Sequence, residues 1–183
     1  MAEDQLALDV SAVSRLTGEF RLRSGQISEE YFDKYRFESD PKLLRRVALR
    51  MLPLIPEGAE VLAGLELGGV PIATAMSLES GLPAVFVRKK AKAYGTCRAV
   101  EGGDVHGRKV VIVEDVITTG GAVFDAAARV EQAGGVVIAV VCAIWRGEAA
   151  PGIKGLQDLP VFAALTKAEL TKTRIETPAD HLE

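Results

Sequence analysis

Residues 110–122 read VVIVEDVITTGGA: an apolar run, an acidic pair, two hydroxyls and two glycines, followed by a helix-like segment. Gly120 and Gly121 let backbone N–H groups converge on one point, and Thr118 and Thr119 add hydroxyl donors. The helix that begins near Ala122 contributes unpaired N–H groups and the positive end of its dipole. Such a turn binds a monophosphate, and the C-terminal edge of a parallel sheet is where α/β folds place ligands. Glu114 and Asp115, separated from the hydroxyls by Val116 and Ile117, would repel a phosphate and so need another task. Accepting hydrogen bonds from vicinal sugar hydroxyls fits, because ionised acceptors make the stronger bonds. A generic strand-to-helix turn is the plain alternative for D-x-x-T-x-G. A nucleotide-binding P-loop is excluded because no Gly-Lys-Ser/Thr follows, and the G-x-G-x-x-G dinucleotide spacing is absent.

Two further segments have a composition suited to anions. Arg88, Lys89 and Lys92 concentrate positive charge in a stretch that continues AYGTCRAVEGGDVHGR, rich in glycine and poor in apolar anchors. That describes a loop too polar to pack when empty, yet basic enough to close over phosphate charge. Taken alone, a solvated basic loop after an edge strand is the readier explanation. Gly68 and Gly69 precede Pro71 and a helical pattern, which makes a second backbone cradle or simply a tight turn. The histidines stand apart, His106 in a turn-like segment and His181 near the C-terminus, and no His/Cys/Asp spacing suggests zinc. Trp145 and Cys142 read as core or rim residues.

The elements that must position these residues follow from periodicity. Leu6, Val10, Val13 and Leu16 fall near one face of a helix over 5–17. Residues 20–37 are aromatic and basic with no clean period. Asp40 suits an N-cap and Pro41 a first turn, starting a helix with Leu44, Val47, Ala48, Met51 and Leu52 inward, ended by Pro53 and Pro56. From residue 60, apolar runs at 61–65, 83–87, 109–113, 136–145 and 161–165 alternate with helical segments at 70–80 and about 122–133. Continuous apolar runs are strands covered on both faces. The repeat predicts an α/β fold of about five parallel strands with right-handed crossovers, preceded by an accessory segment.

The chain has 183 residues, 48% hydrophobic and 26% charged, which is the mix of one globular unit with a sizeable core. A formal net charge of -3 gives no global attraction for nucleic acid, so any phosphate binding is local. The acidic N-terminus lacks the features of a signal peptide, and no apolar run is long enough to span a bilayer. Cys97 and Cys142 lie in unlike surroundings, a polar glycine-flanked stretch and an apolar run, so a reducing cytoplasm is the expected compartment.

The string at 110–122 resembles the phosphoribosyl-pyrophosphate (PRPP) signature of type I phosphoribosyltransferases, and from about Phe20 to Thr166 the chain resembles the orotate phosphoribosyltransferases. FRLRSGQISEEYFDKY resembles that family's N-terminal hood, GLELGGVPIA stands at its pyrophosphate loop, and VRKKAKAYGT matches the start of its mobile catalytic loop. The resemblance implies the type I phosphoribosyltransferase fold: helix and hood over 1–40, core over 41–170 and a fraying tail over 171–183. It implies transfer of the phosphoribosyl group of PRPP to orotate, giving orotidine 5′-monophosphate and pyrophosphate in pyrimidine biosynthesis. Arg88, Lys89 and Lys92 would be the catalytic cations. PRPP would meet residues 114–122, those three cations, Tyr94, Gly68 and Gly69. Orotate would meet Thr118, Arg146 and Arg23, guanidinium groups being suited to its carboxylate. Mg²⁺ held mainly by PRPP itself and a homodimer with shared active sites are also implied, with no nucleic-acid or membrane partner. The family often has a cis peptide in its pyrophosphate loop, which would fall near Glu66-Leu67. This chain has Arg23 and Gly68 where many relatives have Lys, and Tyr94 where many have His. A phosphoribosyltransferase for another base, as in purine salvage, is the nearest alternative; a PRPP-sensing RNA-binding regulator of the same fold is a second.

Overall fold

Asp40 and Pro41 start a helix as their types predict: the Asp40 carboxylate accepts from the backbone N–H of Lys42 and Leu43, at 2.9 and 3.1 Å. That local detail comes from a computed structural model, which describes residues 4–21, 25–90, 98–148, 151–156 and 158–172. Arg23, Lys92, Tyr94 and Cys97 lie outside the described residues. The N-terminal part comprises helix α1 (Gln5–Ser14), strands β1 (Arg15–Arg21) and β2 (Ile27–Phe32), and helices α2 (Tyr35–Ser39) and α3 (Pro41–Met51). Then follow β3 (Val61–Leu65), α4 (Gly69–Ser80), β4 (Ala84–Val87), β5 (Val100–Glu101) and β6 (Lys109–Ile117). The chain continues with α5 (Gly121–Gln132), β7 (Val136–Trp145), β8 (Val161–Thr166) and α6 (Lys167–Lys172).

Several expected boundaries shift. Helix α1 stops at Ser14, and Leu16 belongs to β1, which pairs antiparallel with β2. The register of that hairpin slips between Thr17 and Phe20, a bulge that interrupts two-residue alternation and hides the strands from a periodicity reading. Phe20 and Tyr31 stack across it with ring centroids 5.5 Å apart. On α3 the buried face includes Leu43, with Leu44 and Leu52 only half-buried, a rotation of one position from the expected stripe.

The main sheet runs β5-β4-β3-β6-β7-β8. Its five longer strands are parallel, as expected, and the two-residue β5 adds an antiparallel edge. Successive strand residues face opposite sides. Leu62, Val111, Val113 and Val141 pack with α1, α3 and α4, while Val61, Ala63, Ile112 and Val140 pack with α5. Both faces are therefore covered, which is why the runs lack alternation. From β3 the chain crosses outward to β4, and from β6 it crosses the other way to β7. Crossovers of one hand in opposite directions put α4 and α5 on opposite faces. The crevice at the C-terminal ends of β3 and β6 is thus the switch point of the sheet. The N-terminal helices share the core: Leu6, Val10 and Phe37 are buried with the α3 and α4 face, and Ser11 donates to the carbonyl of Leu170 in α6 at 3.1 Å. Among the described residues, no helix is long and apolar enough to cross a membrane.

Candidate active site

Two turns meet at the switch point. After β3 the Glu66-Leu67 peptide is cis, at the place the resemblance indicated, and Gly68 and Gly69 follow it into α4. Glu66 and Leu67 face solvent while both glycines are buried. A Cβ on Gly68 would sit 1.6 Å from Oδ2 of Asp115, so only glycine lets the turn lie against the end of β6. After β6 the turn is different. Thr118 and Thr119 are exposed, Gly120 is buried with φ +79, and Gly121 has open space where a side chain would be. Gly120 is left-handed and its missing Cβ would meet Ile153 at 2.7 Å, so both backbone and packing call for glycine. The exposed hydroxyls lie directly before the start of α5, at the turn where a phosphate was expected.

Strand β6 is longer than the expected 109–113 run and takes in the acidic pair: Glu114 pairs with Cys142 and Val116 with Ile144 on β7. The acids therefore leave the sheet edge nearly buried, Glu114 8% exposed and Asp115 0%. Parallel pairing with β7 draws both carboxyls into the sheet. Asp115 Oδ1 accepts from the Val116 N–H at 2.5 Å, and Oδ2 lies 2.5 Å from the Lys34 ammonium. That contact is a charge pair without aligned hydrogen-bond geometry. Glu38, in α2, is buried against the same carboxylate, and its Oε1 has no hydrogen-bond partner.

Three carboxyls with one ammonium cannot all ionise. Burial, and then the Asp115 carboxylate, push Glu114 and Glu38 up to about 9. Burial works the same way on Asp115, but hydrogen bonding with Glu114 and the Lys34 contact outweigh it and hold Asp115 below its ordinary value. Burial lowers Lys34, yet the Asp115 contact more than offsets this and leaves it raised. Burial and crowding thus favour the neutral forms of Glu38 and Glu114, while the Lys34 contact favours Asp115 as the carboxylate. Cys142 beneath it is pushed up to about 12 by burial, then by Glu114 and Asp115, and is an inert thiol.

Arg88 and Lys89 leave β4 on the other side of the β3 turn. The Lys89 N–H donates to Glu66 Oε2 at 3.0 Å and Arg129 of α5 donates to the Lys89 carbonyl at 2.9 Å. A cavity of about 350 Å³ lies here, lined by Glu66, Arg88, Lys89, Ala122, Asp125 and Arg129 among others. Hence the basic segment, the β3 turn and the start of α5 border one space. Arg146 follows β7, its N–H bonded to the Ile117 carbonyl at 2.8 Å and its guanidinium 5.6 Å from the Phe32 ring centroid. It borders a smaller cavity of about 240 Å³ with Arg15, Tyr31, Phe32 and Lys167. Among the described residues no group of His, Cys, Asp and Glu is arranged to hold a metal ion. The partners of the acidic pair, Lys34 and Glu38, escaped the sequence reading, as did Glu66 and Arg129. Lys34 and Glu66 lie within the hood and pyrophosphate-loop strings, whose resemblance gave neither side chain a role.

Residues 39–157 match the phosphoribosyl transferase domain family. An orotate phosphoribosyltransferase of Nocardioides sp. is 58% identical over 169 residues, covering 92% of this chain and 94% of the relative. The orotate phosphoribosyltransferase of Mycobacterium tuberculosis H37Rv, solved with Fe(III) dicitrate, superposes with a TM-score of 0.80 at 34% identity over 91% of this chain and 97% of that one. The same enzyme solved with PRPP gives 0.75 at 29% identity, again over 91% of this chain and 97% of that one. With the acidic pair, the phosphate turn and the basic segment around one switch-point crevice, these likenesses place the chain in the orotate phosphoribosyltransferase family.

Proposed function

We propose that this protein transfers the 5-phosphoribosyl group of PRPP to orotate, forming orotidine 5′-monophosphate and pyrophosphate. One observation supports the reading most: the β3 turn, the end of β6, the start of α5 and the base of the basic segment converge at the sheet's switch point. In this reading Thr118, Thr119, Gly120, Gly121 and Ala122 hold the 5′-phosphate. Glu114 and Asp115 face the ribose hydroxyls, with Val116 and Ile117 setting their distance from the loop. Gly68 and Gly69 offer backbone to the pyrophosphate, and Arg88, Lys89, Lys92 and Tyr94 close over it. Arg146, Arg23 and Thr118 meet the base.

The reaction needs no protein nucleophile. Pyrophosphate leaves the anomeric carbon as a ring nitrogen of orotate attacks, and the ribose gains oxocarbenium character. Cations from the segment after β4 neutralise the charge growing on the leaving group, and the closed segment excludes water. A magnesium ion carried by PRPP itself is in keeping with the described residues, among which no cluster of His, Cys, Asp and Glu is arranged to hold a metal; bound there, the ion would add to the neutralisation of pyrophosphate. A homodimer with sites completed across the interface, a cytoplasmic setting and a division into hood, core and tail at residues 40 and 170 belong to the same proposal.

The test is direct. Purified protein with PRPP, Mg²⁺ and orotate should consume the ultraviolet absorbance of orotate. Turnover of a purine base with none of orotate would overturn the assignment. Arg146→Ala should raise the KM for orotate at least tenfold if its guanidinium takes the carboxylate.

A further inference from the structure

Asp115 presents an unusual problem. Its side chain is fully buried, two carboxyls from different elements crowd it, and Gly68 presses on it from the opposite turn. Such a group normally loses its charge or turns away. Here a cation reaches it from outside the sheet. Lys34 follows the hairpin, 81 positions earlier in the chain, and its ammonium meets Oδ2 at 2.5 Å. The lysine keeps partial contact with solvent, 33% exposed, and its ammonium lies 5.3 Å from the Tyr35 ring centroid. It thus spans from solvent to the buried carboxylate. The room for this arrangement comes from Gly68, since any side chain there would displace the Asp115 carboxylate.

We propose that Lys34 is a positioning residue of the phosphoribosyl site: its ammonium, 2.5 Å from Oδ2, fixes the Asp115 carboxylate at the end of β6 for its role toward the ribose hydroxyls of PRPP. This rests on the ribose role given to Asp115 above. The lysine acts through the carboxylate and touches no reacting atom. Glu38 is buried on the other side of the carboxylate, and burial and the crowding by Asp115 favour its neutral form. The titratable groups facing Asp115 are Glu114 on its own strand, Glu38 and Lys34 from the N-terminal region, and Cys142 on β7. Gly68 on the remaining side brings no charge.

Direct titration of PRPP into the intact protein tests this without depending on the base. Lys34→Met should weaken PRPP binding on the order of tenfold or more, and Lys34→Arg should recover most of it. In turnover, the KM for PRPP should rise in Lys34→Met while the KM for orotate stays within about twofold. The acid limb of kcat/KM for PRPP should move up by about one pH unit or more, the effect of removing a cation beside a carboxylate. A purely structural lysine would instead change both KM values together and leave the pH profile in place. Equal PRPP affinity in wild type and Lys34→Met, or equal losses in the Met and Arg variants, overturns the proposal. Should Lys34→Met fail to fold, Lys34→Gln keeps a polar head without charge and is read by the same criteria. Failure of wild type to use orotate, with PRPP binding still sensitive to Lys34, would count against the base assignment alone.

Discussion

The two turns at the switch point do similar work by opposite means. After β3 the chain is pressed inward: consecutive buried glycines lie against Asp115 and against the Val113 carbonyl, where a Cβ on Gly69 would come within 2.3 Å. After β6 the chain is held open, with two exposed threonines and open space where a side chain on Gly121 would be. One turn is shaped by its neighbours and the other by what it offers to solvent. Glycine therefore carries different information in each. In the first it marks a close approach of backbone to backbone; in the second only Gly120 is compelled, by its left-handed φ of +79 and by Ile153.

Substitutions can break this contrast. The largest effect is expected from Gly69→Ala, whose methyl would run into strand backbone that cannot swing aside. We expect a loss of about 3 kcal/mol, the upper range for overpacking, measured by urea denaturation. Gly120→Ala comes next at about 2 kcal/mol, since a left-handed alanine costs roughly 1–2 kcal/mol and Ile153 must also shift. A weaker affinity for PRPP should accompany it. At the lower end, Gly121→Ala should change stability by no more than about 0.5 kcal/mol. A large loss at Gly121 would show that the second turn is as tightly packed as the first.

The crowded side also predicts a pH dependence. Glu38 and Glu114 are raised from 4.5 to about 9, so their protonated forms favour the folded state. Their contribution is complete below about pH 4.5 and is lost as pH rises towards 9. Asp115, lowered from 3.8, contributes above that value and loses its share as pH falls further. Glu38→Gln should therefore flatten the fall in melting temperature between pH 5 and 9 without altering behaviour near pH 3. This effect is intermediate in size. An unchanged slope would mean Glu38 already ionises freely.

Much of this was legible in the chain. Strand runs, the Asp40-Pro41 helix start and the TTGG turn are local signals, and each rests on residues adjacent in sequence. Gly68-Gly69 was readable as a cradle, though not the reason for it, because Asp115 lies 47 positions away. The hairpin was hidden by its bulge, which breaks alternation within seven residues of β1. The depth of Glu114 and Asp115 was not legible, since it follows from the pairing of β6 with β7, which no adjacent residue reveals. Lys34 and Glu38 could not have been assigned at all. Their role exists only once a hairpin and a short helix are folded over the end of a distant strand.

The small edge strand β5 has a consequence for the segment that leaves β4. Because Val100 and Glu101 return beside Val87 and Phe86, and the Arg88 N–H bonds to the Ala99 carbonyl at 2.8 Å, both feet of the intervening stretch are tied together. That segment is therefore closed at its base on the sheet edge. Its length can then change without disturbing either strand, at an entropic cost of only about 0.6 kcal/mol per doubling. Evolution is thereby free to adjust the reach of the basic segment while the sheet keeps its edge.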